Sequence, residues 1–164
     1  MNETDRTDRR QPPGPIVTRR VDAPVEAVWA VFADGWSYAT WVVGASRVRA
    51  VDAAWPAEGS RIHHSFGPWP LTIQDYTRAE RSDEPTDLVL TARGWPIGEA
   101  RVQLHVQPLS ADECEVQISE DAVSGPGRLV PAPLRHLILI PRNRETLYRL
   151  ALLAEGRHRE ATPG

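Results

Sequence analysis

The sequence predicts an α+β domain: a curved, seven-stranded antiparallel sheet wrapped around a long C-terminal helix, with two short helices after the first strand. Three observations predict it. Two helical apolar patterns follow the first strand, six strand-like runs separated by turn residues fill the middle of the chain, and one long apolar stripe at helical spacing closes it. A sheet with one dry face must cover that face, and the closing helix is the only long element available to do so.

The elements follow in order. Ile16 to Asp22 reads as a first strand. Asp22-Ala23-Pro24 stops it and starts a helix, since proline is tolerated in a first turn. Val25, Val28, Trp29 and Phe32 share one face of that helix, which Asp34-Gly35 ends. Tyr38, Trp41 and Val42 continue the spacing in a second short helix, stopped by Gly44. The strand candidates after it are Ser46–Asp52, Arg61–Phe66, Leu71–Arg81, Asp87–Arg93, Glu99–Leu109 and Glu113–Val123. The clearest alternation sets Ala100, Val102, Leu104 and Val106 against Arg101, Gln103, His105 and Gln107, a strand with one dry and one wet face. Leu134, Leu137, Leu147, Leu150, Ala151 and Ala154 mark the closing helix. Pro141 inside it predicts a kink or break near Leu137 to Pro141, because proline removes a donor and crowds the preceding turn.

The folded domain is expected over 16–156. Residues 1–15 and 157–164 combine charge, proline and glycine without periodicity and read as disordered tails. At 164 residues the chain suits a single domain able to bury a core without staples. Its formal net charge of −3 disfavours a phosphate-tracking nucleic-acid binder. All 19 basic residues are arginine, which removes Schiff-base and lysine-base chemistry. The lone Cys114 needs no oxidising compartment, and no apolar run approaches a membrane span, so the expectation is a cytoplasmic protein without stable membrane insertion.

The opening residues Val21-Asp22-Ala23-Pro24, Val28-Trp29, Phe32, Asp34, Tyr38 and Trp41 resemble the start of the START-like (SRPBCC) superfamily. That group includes Bet v 1-like proteins and bacterial polyketide cyclase/dehydrase-type proteins. Asn143 to Glu155, with Leu147, Leu150 and Leu153, resembles its C-terminal helix. The resemblance covers about 16–156. It implies the helix-grip fold with an apolar internal cavity, and it implies no catalytic motif, since the superfamily shares no common active-site residue.

Strand parity nominates the polar groups of that cavity. Residues two apart share a face, so His64 falls in with Ile62 and Phe66, Asp75 with Leu71 and Ile73, and Glu120 with Val116 and Ile118. The Gly67-Pro68 turn would make His64 and Asp75 near diagonal neighbours. These three can anchor a ligand hydroxyl or carbonyl, act as an acid–base pair, or simply satisfy one another structurally. The expected ligand-contacting set is Trp36, Trp41, His64, Phe66, Ile73, Trp95, Leu104, Ile118, Glu120, Leu137 and Pro141. No metal or cofactor is expected: His63 and His64 point to opposite faces, and His105, His136 and His158 have no ligand spacing. Gly125-Pro126-Gly127 reads as a flexible gate beside the last helix.

Three functions are therefore weighed. The first is a binder of a small hydrophobic or aromatic metabolite, polyketide-, isoprenoid- or lipid-like. The second is a cyclase or dehydratase using His64 with Asp75 or Glu120. The third is an interaction module, such as a homodimer, built on the apolar Leu137–Ile140 segment.

Overall fold

The computed structural model describes residues 14–67, 70–94 and 96–162. Its elements run β1 (Ile16–Val21), α1 (Val25–Ala33), α2 (Tyr38–Trp41), β2 (Ala45–Val51), β3 (Arg61–Phe66), β4 (Ile73–Asp83), β5 (Asp87–Gly94), β6 (Gly98–Pro108), β7 (Cys114–Ser124) and α3 (Ala132–Ala161). The seven strands form one antiparallel sheet in the order β1-β7-β6-β5-β4-β3-β2. Six consecutive strands thus form a meander, and the first strand returns to close against the last. This is the helix-grip fold, with the expected strands recovered to within two residues at their ends.

The inner face of the sheet and α3 hold the core between them. On β6, Leu104 and Val106 are fully buried, and on β7 so are Cys114 and Val116. The buried stripe of α3 runs Asn143, Thr146, Leu147, Leu150, Ala151 and Ala154, the three-and-four spacing that keeps side chains on one helical face. Helix α1 adds Val28, Trp29, Val31 and Phe32, and Phe32 meets Trp29 edge-on with ring centroids 5.9 Å apart.

Two expectations about the closing helix are corrected. It does not break at Pro141: α3 runs unbroken for 30 residues. Proline there deprives the Leu137 carbonyl of its donor, but Pro141 and Leu137 both lie on the exposed side, where water serves instead. The helix also runs through 157–161, residues that read as tail. At the other end, Gly14 is already buried against the Glu120 carbonyl, and residues 1–13 of the expected N-terminal tail lie outside the described residues. Gly125-Pro126-Gly127 opens a 3-10 turn, Pro126–Leu129, in which Gly127 is buried.

Candidate functional site

The sheet is filled at one end and hollow at the other, and the sequence shows why. Along β5 the inner positions pass from Leu88 and Leu90 to Ala92 and Gly94. Along β6 they pass from Val106 and Leu104 back to Ala100 and Gly98, and along β7 from Val116 and Ile118 to Ala122. The strands pair so that Ala92, Ala100 and Ala122 lie abreast. Large side chains fill the core with α1 and α3 at the first end. At the second, small ones leave a pocket of about 390 Å³, walled by Ala92, Ala100 and Ala122, by Val42, Ala45 and Phe66, and by Ile138 and Leu139 of α3. Its size and apolar lining fall in the range of small-molecule sites.

Among the polar side chains on this wall, Tyr38 and His64 belong to one hydrogen-bonded group and Glu120 and Arg142 to another. The first is a relay. Tyr38 Oη lies 3.0 Å from Thr77 Oγ1, and His64 Nε2 lies 2.9 Å from the same oxygen. The Tyr38 and His64 rings stack with centroids 5.3 Å apart. His64 is only 2 % exposed, and its Nδ1 is buried without a hydrogen-bond partner of normal geometry. Burial holds the His64 pKa below the ordinary imidazole value against the opposing pull of the Asp75 charge, so the ring is neutral at pH 7. Burial also pushes the Tyr38 phenol up, keeping it protonated.

The second group is an ion pair. Arg142 Nη1 donates to both oxygens of Glu120, at 2.6 and 2.7 Å. Arg142 Nε donates to the Val43 carbonyl at 3.0 Å, while the Val43 amide donates to Thr146 Oγ1 at 3.2 Å. Helix α3 therefore satisfies both backbone groups of the residue joining α2 to β2. Burial opposes the Arg142 charge, but the Glu120 carboxylate outweighs it and holds the guanidinium pKa above its usual value.

The sequence-nominated residues divide accordingly. His64, Phe66 and Glu120 line the pocket. His64 and Asp75 are direct cross-strand partners rather than diagonal ones, because β3 and β4 pair without a register shift. Asp75 is nonetheless outside the apolar pocket. With Ile73 it lines a separate polar recess of about 360 Å³ beside Arg49, His63, Tyr76 and Arg93. Trp41, Leu104 and Ile118 belong to the packed core. Trp36 is 62 % exposed, so it is neither core nor cavity wall. Leu137 and Pro141 face away from the pocket. The buried stripe extrapolates to Leu139, about three turns before Leu150, and not to Leu137. Trp95 lies outside the described residues, as does Trp69.

Sequence reasoning missed Thr77 and Arg142 and placed Tyr38 only on the second short helix. A signal existed for Arg142: Arg135, Ile138, Leu139 and Arg142 are spaced three, one and three apart, and together they form the pocket face of α3.

The lowered His64 pKa carries a pH signature. The unfolded chain takes up a proton near pH 6.5 while the folded ring resists it until lower pH. Between those two values the unfolded state binds more protons, so this contribution to stability is complete above about pH 6.5 and is lost as pH falls toward the folded pKa. Urea denaturation at pH 7.5 and 5.0 should show a smaller loss for His64→Gln than for the wild type. Equal losses would mean that the ring is protonated in the folded state.

Residues 16–155 match the model of a family described as polyketide cyclase / dehydrase and lipid transport. The chain belongs to that family. No curated protein matches the chain. Among solved structures, the Zhui aromatase/cyclase from Streptomyces sp. R1128 superposes with a TM-score of 0.66 at 16 % identity, over 91 % of this chain and 95 % of its own. A START superfamily protein from Mycobacterium smegmatis gives a TM-score of 0.63 at 19 % identity, over 92 % of this chain and 100 % of that one. A protein from Thermobifida fusca gives 0.63 at 23 % identity, over 87 % and 92 %. At these identities the likeness speaks to the fold. The match covers both walls of the pocket, from Tyr38 in the N-terminal helices to Arg142 in α3.

Proposed function

We propose that this helix-grip domain binds a small, mostly apolar metabolite, polyketide-, isoprenoid- or lipid-like, that carries a hydroxyl directed at His64. One observation carries the reading: His64, a neutral imidazole, is one of the few polar side chains on the wall of a largely apolar pocket. A hydrogen bond between a ligand hydroxyl and that ring is worth about 0.5–1.5 kcal/mol net. A hydroxyl can donate to the ring or accept from it and so suits either tautomer; a carbonyl suits only a ring N–H. The family description and the fold neighbours support small-molecule binding in general, and the buried, free Cys114 agrees with the cytoplasm as its compartment.

The test compares 1-naphthol with naphthalene, two probes of near-equal shape, by quenching of intrinsic tryptophan fluorescence. Naphthol is expected to bind about 3- to 10-fold more tightly, the worth of one net hydrogen bond. His64→Phe should abolish that difference while leaving naphthalene binding in place. A wild type that fails to distinguish the probes would sink the reading.

A second reading, a cyclase- or dehydratase-type enzyme, is favoured by the same neutral His64, which is in the form that accepts a proton. In it Asp75 would influence the ring from across the strand pair, outside the pocket, and Glu120 would hold Arg142 in place. It requires turnover that disappears in His64→Gln while probe binding survives.

A further inference from the structure

Residues 122–144 contain four arginines and no acidic residue, in a chain whose formal net charge is −3. The segment covers the end of β7, the 3-10 turn and the first part of α3. Two of its arginines are already committed, Arg135 to Asp121 and Arg142 to Glu120. The other two, Arg128 and Arg144, are exposed and form no ion pair with any described residue. Between them stand aliphatic side chains turned to solvent: Leu129 is 84 % exposed, Leu137 70 %, Ile138 69 % and Leu134 53 %. Leu134, Leu137 and Ile138 are spaced three and four apart on one side of α3, which is the pattern of a helix lying on an interface. Ile138 and the neighbouring Val130 also line the pocket, so this apolar surface is continuous with the pocket mouth.

We propose that this face docks on the surface of an anionic lipid bilayer, burying Leu129, Leu134, Leu137 and Ile138 among the acyl chains while Arg128 and Arg144 meet the headgroups. Two other occupants fit less well. In a two-fold dimer the patch meets itself, which gathers Arg128 and Arg144 of both copies, four unpaired arginines, into one interface. A protein partner is recognised by aromatic anchors and directional hydrogen bonds. Residues 122–144 include no aromatic side chain, and Pro126, Pro131, Pro133 and Pro141 deny the segment backbone donors. A fluid apolar layer needs neither. No helix among the described residues is long and apolar enough to cross a membrane, so contact is limited to one leaflet. Docking stands whatever the pocket holds. The further step, passage of a ligand from acyl chains through the mouth, rests on the ligand-binding reading.

The experiment is sedimentation of the full chain with sucrose-loaded vesicles, either pure phosphatidylcholine or with about a third phosphatidylglycerol. Binding to the anionic vesicles is expected to be at least 10-fold tighter and to collapse at high salt, as screening requires. Arg128→Gln/Arg144→Gln should lose about 30-fold. Leu137→Glu/Ile138→Glu should lose more, with its circular dichroism unchanged because both sites are exposed. His64→Phe should dock as the wild type does, which separates failure of the pocket reading from failure of docking. A chain that ignores both vesicle types overturns the proposal, and so does one that binds them equally. A dimer in size exclusion that Leu137→Glu/Ile138→Glu dissolves would assign the face to a second copy and overturn it too.

Discussion

Arg142→Met is expected to destabilise the domain by about 3–5 kcal/mol at pH 7.5, the cost of leaving one charge of a buried pair without its partner. Glu120 is 5 % exposed, and both of its oxygens receive their contact from Arg142 Nη1. Removing the guanidinium also strips the Val43 carbonyl of its donor, so α3 loses one of its two holds on the α2–β2 junction. A second variant identifies the cause. Glu120→Gln in the Arg142→Met background removes the stranded charge and should restore much of the loss. Urea denaturation of the wild type and the two variants checks this. A penalty below about 1 kcal/mol for Arg142→Met, or no recovery in the double variant, would show that the pair is solvated and contributes as little as a surface ion pair.

The same pair shows what the sequence revealed and what it concealed. Glu120 was legible because a strand has a strict period of two: once Val116 and Ile118 face inward, residue 120 must follow. His64 was found in the same way from Ile62 and Phe66. The architecture was legible for a similar reason, since turn residues and alternation mark antiparallel strands and one long helix remained to cover them. The partners were hidden because they come from other elements. Thr77 reaches His64 across the β3–β4 pairing, Tyr38 from α2 and Arg142 from α3, and no local pattern in one element encodes such a meeting. Asp75 illustrates the limit of parity. It takes the inner-face position that alternation gave it, yet the pairing of β4 with β5 stops at Thr77–Ala92, and beyond that point Asp75 lines a separate polar recess. Leu137 and Trp36 failed for a different reason: hydrophobicity alone placed them inside, whereas the helical phase set by Leu147 and Leu150 leaves Leu137 outside.

Gly98→Ala is expected to lower the melting temperature by about 10 °C and to weaken probe binding to the pocket in the protein that remains folded. Gly98 begins β6 at φ +119°, a region that residues with a Cβ rarely enter, which alone costs about 1–3 kcal/mol. A Cβ placed there would also lie 2.1 Å from the Ser124 carbonyl oxygen and 2.8 Å from Gly125 Cα. Both are backbone atoms, so the overlap can be relieved only by moving β6 and β7 apart, for about 1–3 kcal/mol more. That crossing frames the pocket mouth: Gly98 and Gly127 line it, and the Gly127 amide donates to the Ile97 carbonyl at 2.9 Å. Gly59→Ala supplies the control. Gly59 also has positive φ, at +85°, but a Cβ there meets nothing within 4 Å, so only the backbone strain applies and the pocket is untouched. The difference between the two melting shifts isolates the crowding at the mouth. If Gly98→Ala melts with Gly59→Ala and binds naphthol as the wild type does, the close approach of β6 and the 3-10 turn is not what shapes the pocket.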